Sequence, residues 1–280
     1  MRLVSPSVCE IDENSQILFE GEDLSKASEA RMRKVRGNEI SMIFQEPMSS
    51  LNPVYRIGDQ MLEMIRTHHR EIPKKEALKQ CIEMLSRVGI PSPEQRIKEF
   101  PHQMSGGMRQ RVMIAMALLC QPKLLIADEP TTALDVTIQA QILRILKKLA
   151  EESDTSVILI THDMGVVAEM ADHVMVMYAG KSVEYGTAED IFDHPMHPYT
   201  VGLLKSIPKL GSGQEDHLFT IEGTVPGLDE MPAGCRFSTR CPYATEQCKK
   251  EDPGMQGEAG HFVRCFRSMD PEIQDSREVE

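Results

Sequence analysis

Two short apolar segments, each followed by polar residues, constrain the fold of this chain more than any other feature. Residues 124–127 are all apolar and lead into Asp128 and Glu129. Residues 157–160 are also all apolar and lead into Thr161 and His162. Strands that are apolar on both faces are typical of a parallel sheet covered by helices. Since helical patterns alternate with these strands, the sequence predicts an α/β fold.

Further strand and helix patterns extend this alternation. Apolar residues at helical spacing predict one helix through Ile57, Met61 and Ile65 and another through Cys81 and Leu85. Beyond about residue 205 the periodicity fades, and glycine and proline become more frequent. Strands are predicted at 16–20, 40–44, 174–178 and 182–185, and helices at 27–36, 105–119 and 137–152.

The charge and hydropathy of the chain exclude two classes of protein. Its 31 basic and 43 acidic side chains give a formal net charge of −12, whereas coating nucleic acid needs clustered positive charge. No stretch approaches the roughly 18–20 uninterrupted apolar residues of a membrane span. Residues 1–6 also lack the apolar segment of an export signal. We therefore expect a soluble, cytosolic protein that binds no nucleic acid.

The predicted strands place three chemically active side chains at one edge of the sheet. Asp128 suits Mg²⁺ binding, directly or through water, and Glu129 suits deprotonation of an attacking water. His162 follows the next strand and is expected at the same edge, where α/β sheets bind their ligands. Each residue alone also fits a structural role in a solvated turn, but together they form a candidate active site.

Two other segments suit phosphate chemistry. Ser105, Gly106 and Gly107 open a predicted helix, where backbone N–H groups and the helix dipole favour an anion. Gln45 ends the strand predicted at 40–44, and its amide can reach a metal or a water. Either signal is weak without the others.

Taken in chain order, these residues resemble the motifs of the nucleotide-binding subunits of ABC transporters. Met104 and Met108 replace the more general leucine and glutamine of the signature motif, and the loss of the glutamine amide is expected to weaken contacts to ribose or phosphate. The matching segments are residues 42–47 for the Q-loop, 104–111 for the signature, 124–129 for Walker B, 131–135 for the D-loop, and His162 for the switch histidine.

Other segments resemble the peptide and nickel importers within this family. They are Ser49-Ser50-Leu51-Asn52-Pro53, His197-Pro198-Tyr199-Thr200 and the cysteine-containing tail from Gly234 onward. The resemblance covers most of the chain and leaves dipeptide, oligopeptide and nickel open as the solute. It implies an α/β ABC nucleotide-binding domain at residues 1–204 with a helical subdomain near 52–118, an extension at 205–268 and an acidic tail at 269–280.

The resemblance also implies roles and partners. Glu129 would be the general base of ATP hydrolysis, and His162 would contact the γ-phosphate. A second ABC ATPase subunit, usually a different chain, would complete the dimer. Two membrane permease subunits would bind the helical subdomain on the inner face of the cell membrane, with an extracytoplasmic solute-binding protein acting indirectly. ATP and Mg²⁺ would be bound by Gln45, Asp128, Ser105, Gly106, Gly107 and Asp135, of which Gln45 would couple to the permeases and Asp135 would communicate across the dimer.

One element that ATP binding in this family requires is missing from the 280 residues. There is no Gly-x-x-x-x-Gly-Lys-Ser/Thr phosphate loop. Gly180-Lys181-Ser182 lacks the earlier glycine, because residue 175 is methionine, and is interpreted as a turn between strands. Since residues 1–4 resemble the helix just after that loop, we expect a chain that starts inside the domain, through a truncated gene, a misplaced start or a real short form.

The missing loop has consequences for function and solubility. The chain would not complete its own ATP site but would lend its signature residues to the intact site of a partner. Loss of a central strand would expose sheet edges, so the isolated chain is expected to be poorly soluble.

The alternative function is a non-catalytic subunit or metal-sensing module that keeps only the signature face and the cysteine tail. A soluble ABC ATPase of DNA repair or translation is disfavoured, since paired ABC units and coiled-coil arms are both lacking.

Four of the seven cysteines are clustered near the end of the chain. In a chain with no export signal, such a cluster is more often metal-binding or redox-active than disulfide-bonded. The spacing Cys-x5-Cys-x6-Cys-x16-Cys fits zinc poorly, whereas four thiolates can hold a [4Fe–4S] cluster. Resemblance to the tails of peptide-importer ATPases favours that cluster over zinc or no metal. The four are Cys235, Cys241, Cys248 and Cys265, while Cys9, Cys81 and Cys120 are expected to be small buried side chains.

Overall fold

The computed structural model describes residues 1–5, 7–45, 50–132, 134–207, 219–271 and 273. These residues belong to two compact units, Met1–His162 and Asp163–Glu280, which are described separately. The domain boundaries expected from the sequence remain predictions. Outside the described residues lie Glu46, Pro47 and Ser49 near the expected Q-loop, Ala133 of the expected D-loop, and residues 272 and 274–280 of the expected acidic tail.

A small hairpin and one helix precede the central sheet of the first unit. β1 (Leu18–Phe19) pairs with β2 (Glu22–Asp23) in antiparallel fashion. Between them Glu20 and Gly21 have positive φ angles of 49° and 81°. The strand is therefore shorter than the predicted 16–20, because the turn already begins at residue 20. The predicted helix follows as α1 (Glu29–Val35).

A parallel sheet forms the centre of the first unit. Its strands lie in the order β3 (Ile40–Ile43), β4 (Leu124–Asp128) and β5 (Ser156–Ile160). The register pairs Ile43 with Ala127 and Asp128 with Ile160. The carboxyl ends of the three strands are therefore level, as the apolar segments predict.

Helices connect these strands. α2 (Ile57–His68) buries Ile57, Met61 and Ile65, and α3 (Lys74–Arg87) buries Cys81 and Leu85, so both predicted apolar faces are confirmed. Close contacts hold the start of α2 in place, since a Cβ on Gly58 would lie 2.7 Å from the Ile97 carbonyl oxygen. Among the described residues of this unit, further helical elements are α4 (Pro93–Arg96), a 3₁₀ turn at Pro101–Gln103, α5 (Gly106–Leu118) and α6 (Val136–Glu152).

The second unit contains an antiparallel sheet that begins with a tight hairpin. α7 (Met164–Met170), which the sequence analysis missed, precedes β6 (His173–Tyr178) and β7 (Lys181–Thr187). The turn residues Ala179 and Gly180 have φ angles of 47° and 77°. Two successive positive φ angles match the type I′ turns of two-residue hairpins. The interpretation of Gly180-Lys181-Ser182 as a turn is therefore confirmed.

Residues near the end of the chain extend this sheet. β9 (His261–Val263) pairs with β7 and with β8 (Gln256–Glu258), which gives the order β6-β7-β9-β8. The other helical elements are α8 (Ala188–Asp193), α9 (Pro198–Lys205), a 3₁₀ turn at Leu228–Glu230 and α10 (Glu246–Lys250). In the part of the chain that the structure describes, every helix is too short or too polar to cross a membrane.

A buried carboxylate connects β7 to its surroundings. Glu184 is 0% exposed and accepts hydrogen bonds from the backbone N–H groups of Met196, at 2.6 Å, and His197, at 2.8 Å. The Nε2 atom of His261 lies 2.8 Å from Glu184 Oε1. These contacts link β7 both to β9 and to the residues that lead into α9.

Candidate active site

Gln45, Glu129 and His162 meet at the carboxyl edge of the parallel sheet. Gln45 and His162 each lie two residues beyond the end of a strand, and Glu129 directly follows β4. The Gln45 Nε2 atom donates a hydrogen bond to Glu129 Oε2 at 2.8 Å. The His162 Nδ1 atom lies 3.1 Å from Glu129 Oε1. The apolar segments predict the histidine and the glutamate at one edge, and the level strand ends bring them there.

A third contact to the Glu129 carboxylate comes from Thr132, which the sequence analysis quoted without a role. Its Oγ1 atom donates a hydrogen bond to Glu129 Oε2 at 2.8 Å. Hydrogen bonds from Thr132 and His162, with a smaller contribution from Gln45, hold the pKa of the Glu129 carboxyl below its ordinary value. The group is therefore ionised at neutral pH. Its side chain is 23% exposed, so water can reach the carboxylate.

The backbone around Glu129 forms a turn that is fixed from two sides. Glu129 has a positive φ of 42°, a conformation that is uncommon outside glycine and is often found at functional sites. Its N–H donates to the Ile160 carbonyl at 2.9 Å, which joins the turn to the end of β5. On the buried side, the Gln110 side-chain amide donates to the Pro130 carbonyl. Gln110 is 1% exposed, and its place in the signature segment was the only sequence signal for it.

Asp128 is the last residue of β4 and precedes the carboxylate cluster directly. Its register partner is Ile160, so it also lies at the carboxyl edge of the sheet. Magnesium is usually held by one or two carboxylates together with water and substrate phosphates. The described residues contain no group of three His, Cys, Asp or Glu side chains arranged around one metal ion. Asp128 with the Gln45 amide nevertheless fits the sparse donor set that Mg²⁺ needs.

The predicted phosphate-binding residues open α5. Ser105 caps this helix, since its Oγ accepts a hydrogen bond from the Met108 N–H at 3.3 Å. A Cβ built on Gly106 would meet no atom within 4 Å, so the space beside this backbone is open. Among the described residues, no hydrogen bond joins Ser105, Gly106 or Gly107 to the side chains around Glu129. The structure therefore leaves this helix start available to a group other than the Glu129 cluster.

Asp135 occupies a similar position at the start of α6. Its carboxylate accepts a hydrogen bond from the Ile138 N–H at 3.0 Å and so caps the helix. A Cβ on Gly107 would lie 3.3 Å from Ile138 Cγ2, which shows that the first turns of α5 and α6 are neighbours. The predicted signature and D-loop residues thus lie on adjacent helix starts.

The four clustered cysteines line one cavity in the second unit. Aromatic side chains, including Phe237, Tyr243 and Phe266, line the same cavity. Burial raises the pKa of the Cys235 thiol and raises that of Cys241 to about 12. The described cysteines surround the cavity, but no three of them are arranged as ligands of one ion. Among the other three cysteines the expectation was wrong for Cys9, which is exposed because no apolar residues cover its segment, while Cys81 is buried and Cys120 is half-buried.

Comparison with known proteins identifies the family. The chain matches the ABC transporter family over residues 5–132 and the family described as oligopeptide/dipeptide transporter, C-terminal region, over residues 183–248. It is 54% identical to the oligopeptide transport ATP-binding protein AppD of Bacillus subtilis, over 95% of this chain and 80% of that protein. It is 56% identical to the oligopeptide transport ATP-binding protein OppD of Haemophilus influenzae, over 90% of this chain and 78% of that protein.

Two further comparisons extend this result, one with a dipeptide transport protein and one with a solved structure. The dipeptide transport ATP-binding protein DppD of Bacillus subtilis is 51% identical over 99% of this chain and 80% of that protein. The dimeric structure of the ATP-binding cassette MJ0796 bound to ADP and Pi is 26% identical and superimposes with a TM-score of 0.54 over 61% of this chain and 72% of that chain. The α/β nucleotide-binding fold expected from the motifs is thus confirmed, and the chain belongs to the family of ATP-binding subunits of oligopeptide and dipeptide ABC transporters.

Proposed function

We propose that this chain drives peptide import by ATP hydrolysis, with Glu129 as the general base and His162 at the γ-phosphate. The observation that carries the proposal is the ionised Glu129 carboxylate, held at the sheet edge by side chains from two other strand ends. A general base must be ionised and accessible to water, and Glu129 meets both requirements.

The chemistry follows from these positions. The Glu129 carboxylate accepts a proton from water while the water oxygen attacks the γ-phosphorus. The bond between that phosphorus and the β,γ-bridging oxygen breaks, so ADP leaves and inorganic phosphate is formed. The ring of His162 is 78% exposed and can hydrogen-bond to the γ-phosphate oxygens. Mg²⁺, held by Asp128 and Gln45, would neutralise charge on the β- and γ-phosphates.

The start of α5 serves the nucleotide of a partner subunit in this proposal. The exposed backbone at Ser105 and Gly106, with a helix dipole behind it, suits an anion presented from outside the chain. Asp135, on the neighbouring helix start, would relay the occupancy of that site across the dimer.

Two variants of the assembled importer separate these roles. E129Q removes the proposed base. G106A adds a methyl group where phosphates would approach, and this methyl group would clash with no atom of this chain. With the general base of the partner subunit also removed, E129Q is expected to lower the remaining ATP turnover by roughly 100-fold or more. E246Q, at an exposed position, serves as the control.

The outcome decides between the main and the second function. If E129Q turns over ATP like the control, Glu129 is not a base and the proposed role is wrong. If E129Q has no effect, and G106A reduces turnover when the general base of the partner subunit is intact, the chain supplies a signature face to its partner and is non-catalytic, as the second hypothesis states. Loss of turnover with both variants supports a catalytic subunit that also acts on the partner's site.

The location and solute follow from the same proposal. The helices between residues 52 and 118 would bind two permease subunits and hold the protein on the inner face of the cell membrane. The names of the relatives favour a peptide over nickel. Transport of labelled dipeptides, oligopeptides and nickel by the reconstituted importer tests this choice, and uptake of nickel alone would contradict it.

The cysteine cavity supports a second proposal, that of a [4Fe–4S] cluster which cross-links the extension. Such a cluster takes one thiolate on each of four irons, so its ligands surround a space. The ring of Cys235, Cys241, Cys248 and Cys265 around one cavity fits this arrangement of ligands. The wide spacing of the four cysteines along the chain suits zinc poorly.

Metal analysis tests this second proposal. Protein purified without oxygen is expected to contain equal amounts of iron and acid-labile sulfide, and C241S is expected to lose both. C9S, at an exposed cysteine outside the cavity, is the control. Zinc in place of iron, or no metal in either variant, would overturn the proposal.

A further inference from the structure

Thr132 differs from the other two described residues that contact the Glu129 carboxylate. Gln45 and His162 approach from other strands, 84 and 33 residues away in the chain. Thr132 lies only three residues beyond Glu129 and in the same turn. Its backbone N–H also donates to the Glu129 carbonyl, at 3.2 Å. The threonine therefore moves with the glutamate, even where other strand ends shift.

The two oxygens of the Glu129 carboxylate make different contacts. Oε2 accepts hydrogen bonds from Thr132 and Gln45, both at 2.8 Å. Oε1 faces His162 alone among the described residues. An ionised carboxylate offers about two acceptor sites on each oxygen. Oε2 is thus fully used, while Oε1 retains a site for a water.

The turn that carries Thr132 is anchored from below. Pro130 is buried, and its carbonyl accepts a hydrogen bond from the buried side chain of Gln110. Glu129 itself is joined to the end of β5 through its N–H. Because the backbone is fixed on both sides, the Thr132 hydroxyl has a defined position relative to the carboxylate.

We infer that Thr132 is a positioning residue for the general base, a role that rests on the proposed function of Glu129. Its hydroxyl holds Oε2 and so directs Oε1 toward the attacking water. It also stabilises the ionised carboxylate in the ground state. Thr132 does not touch the nucleotide in this arrangement, so it affects catalysis only through Glu129.

Replacement by valine keeps the shape of Thr132 and removes its donor. T132V is expected to reduce kcat about tenfold, since one hydrogen bond to a charged group is lost and the carboxylate can rotate. The KM for ATP should stay unchanged. T132S restores the hydroxyl and should restore kcat.

The assay is ATP turnover by the assembled importer, with the general base of the partner subunit removed. T224V is the matched control, because Thr224 is exposed in the other compact unit. A purely structural role of Thr132 would change thermal stability or KM together with kcat, whereas a positioning role changes kcat alone. T132A provides a second test if T132V fails to assemble.

The variants also separate failure of this inference from failure of the proposed function. If E129Q is inactive but T132V matches T224V in kcat, Thr132 has no positioning role. If E129Q remains active, the role of Glu129 is wrong and the role of Thr132 falls with it. An equal loss in T132V and T132S would also refute the inference, because serine keeps the donor.

Discussion

The buried carboxylate of Glu184 gives the sharpest prediction for stability. E184A removes the acceptor of two backbone N–H groups, those of Met196 and His197, and the partner of His261. A hydrogen bond to a charged group contributes about 1.5–3 kcal/mol. After partial relaxation, E184A is therefore expected to cost roughly 3–6 kcal/mol, and E184Q, which keeps one acceptor oxygen, about half of that. The larger figure approaches the whole unfolding free energy of a typical domain, about 5–15 kcal/mol.

Tyrosine fluorescence reports the loss of stability in the unit that contains Glu184. The chain contains no tryptophan and five tyrosines, and only Tyr55 lies outside the second unit. Urea unfolding followed by tyrosine emission therefore reports mainly on the unit that contains Glu184. With a slope of about 1–3 kcal/mol per molar urea, E184A should lower the midpoint by roughly 1–6 M.

A surface glutamate of the same unit provides the control. The Glu246 side chain is 73% exposed and pairs with Lys249 at 2.7 Å within one helix turn. Such pairs contribute little, so E246A should change the free energy of unfolding by no more than about 0.5 kcal/mol. If E184A and E246A unfold at the same urea concentration, the buried carboxylate does not hold this unit together and the reasoning is refuted.

Three further predictions concern packing, thiol reactivity and pH. G58A should lower the free energy of unfolding by about 1–3 kcal/mol, measured by urea titration, because its methyl group would overlap Ile97. Ellman's reagent at pH 8 should modify exposed Cys9 within minutes but Cys81 only in denaturant, since burial raises the pKa of the Cys81 thiol to about 12. Burial lowers the pKa of His197 to about 3, so the unfolded chain binds a proton first as the pH falls below about 6.5. Each pH unit between those values should then cost up to about 1.4 kcal/mol of stability, measured as urea midpoints at several pH values.

Matched variants identify the cause in each case. G227A adds the same methyl group where no atom lies within 4 Å and should leave stability almost unchanged. C9S should abolish the fast phase of thiol modification. H197Q, which cannot titrate, should flatten the loss of stability between pH 6.5 and 4. Equal effects in variant and control would contradict the corresponding prediction.

The parallel sheet and the approximate position of the site were predictable because both depend on strand periodicity. Apolar segments end abruptly at Gln45, Glu129 and His162, and parallel strands bring such ends to one edge. Two contacts were not predictable from this pattern. Thr132 reaches Glu129 because of a turn with positive φ, and Gln110 reaches Pro130 across a helix–turn contact. Neither geometry has a periodic signal in the sequence.

The second unit was less predictable for similar reasons. β8 contains no apolar side chain, since its residues are Gln256, Gly257 and Glu258, so it shows no apolar alternation. It pairs with β9 through a local two-residue turn at Ala259 and Gly260, whose φ angles are 53° and 94°. α7 is a single short helix of seven residues, and only Asp163, which caps it, marks its start.

The level strand ends have a consequence for how the protein is made. His162 lies 117 residues after Gln45, since 162 − 45 = 117. At about 5–20 residues per second, a ribosome needs roughly 6–23 s to synthesise that interval. For the first 83 residues of this interval, since 128 − 45 = 83, neither of the other described strands of the parallel sheet is complete, because β4 ends at Asp128 and β5 comes later still. The Glu129 cluster can therefore form only after β5 has left the ribosome and joined β4, which makes the hydrolytic site one of the last features of the first unit to appear in a newly made chain.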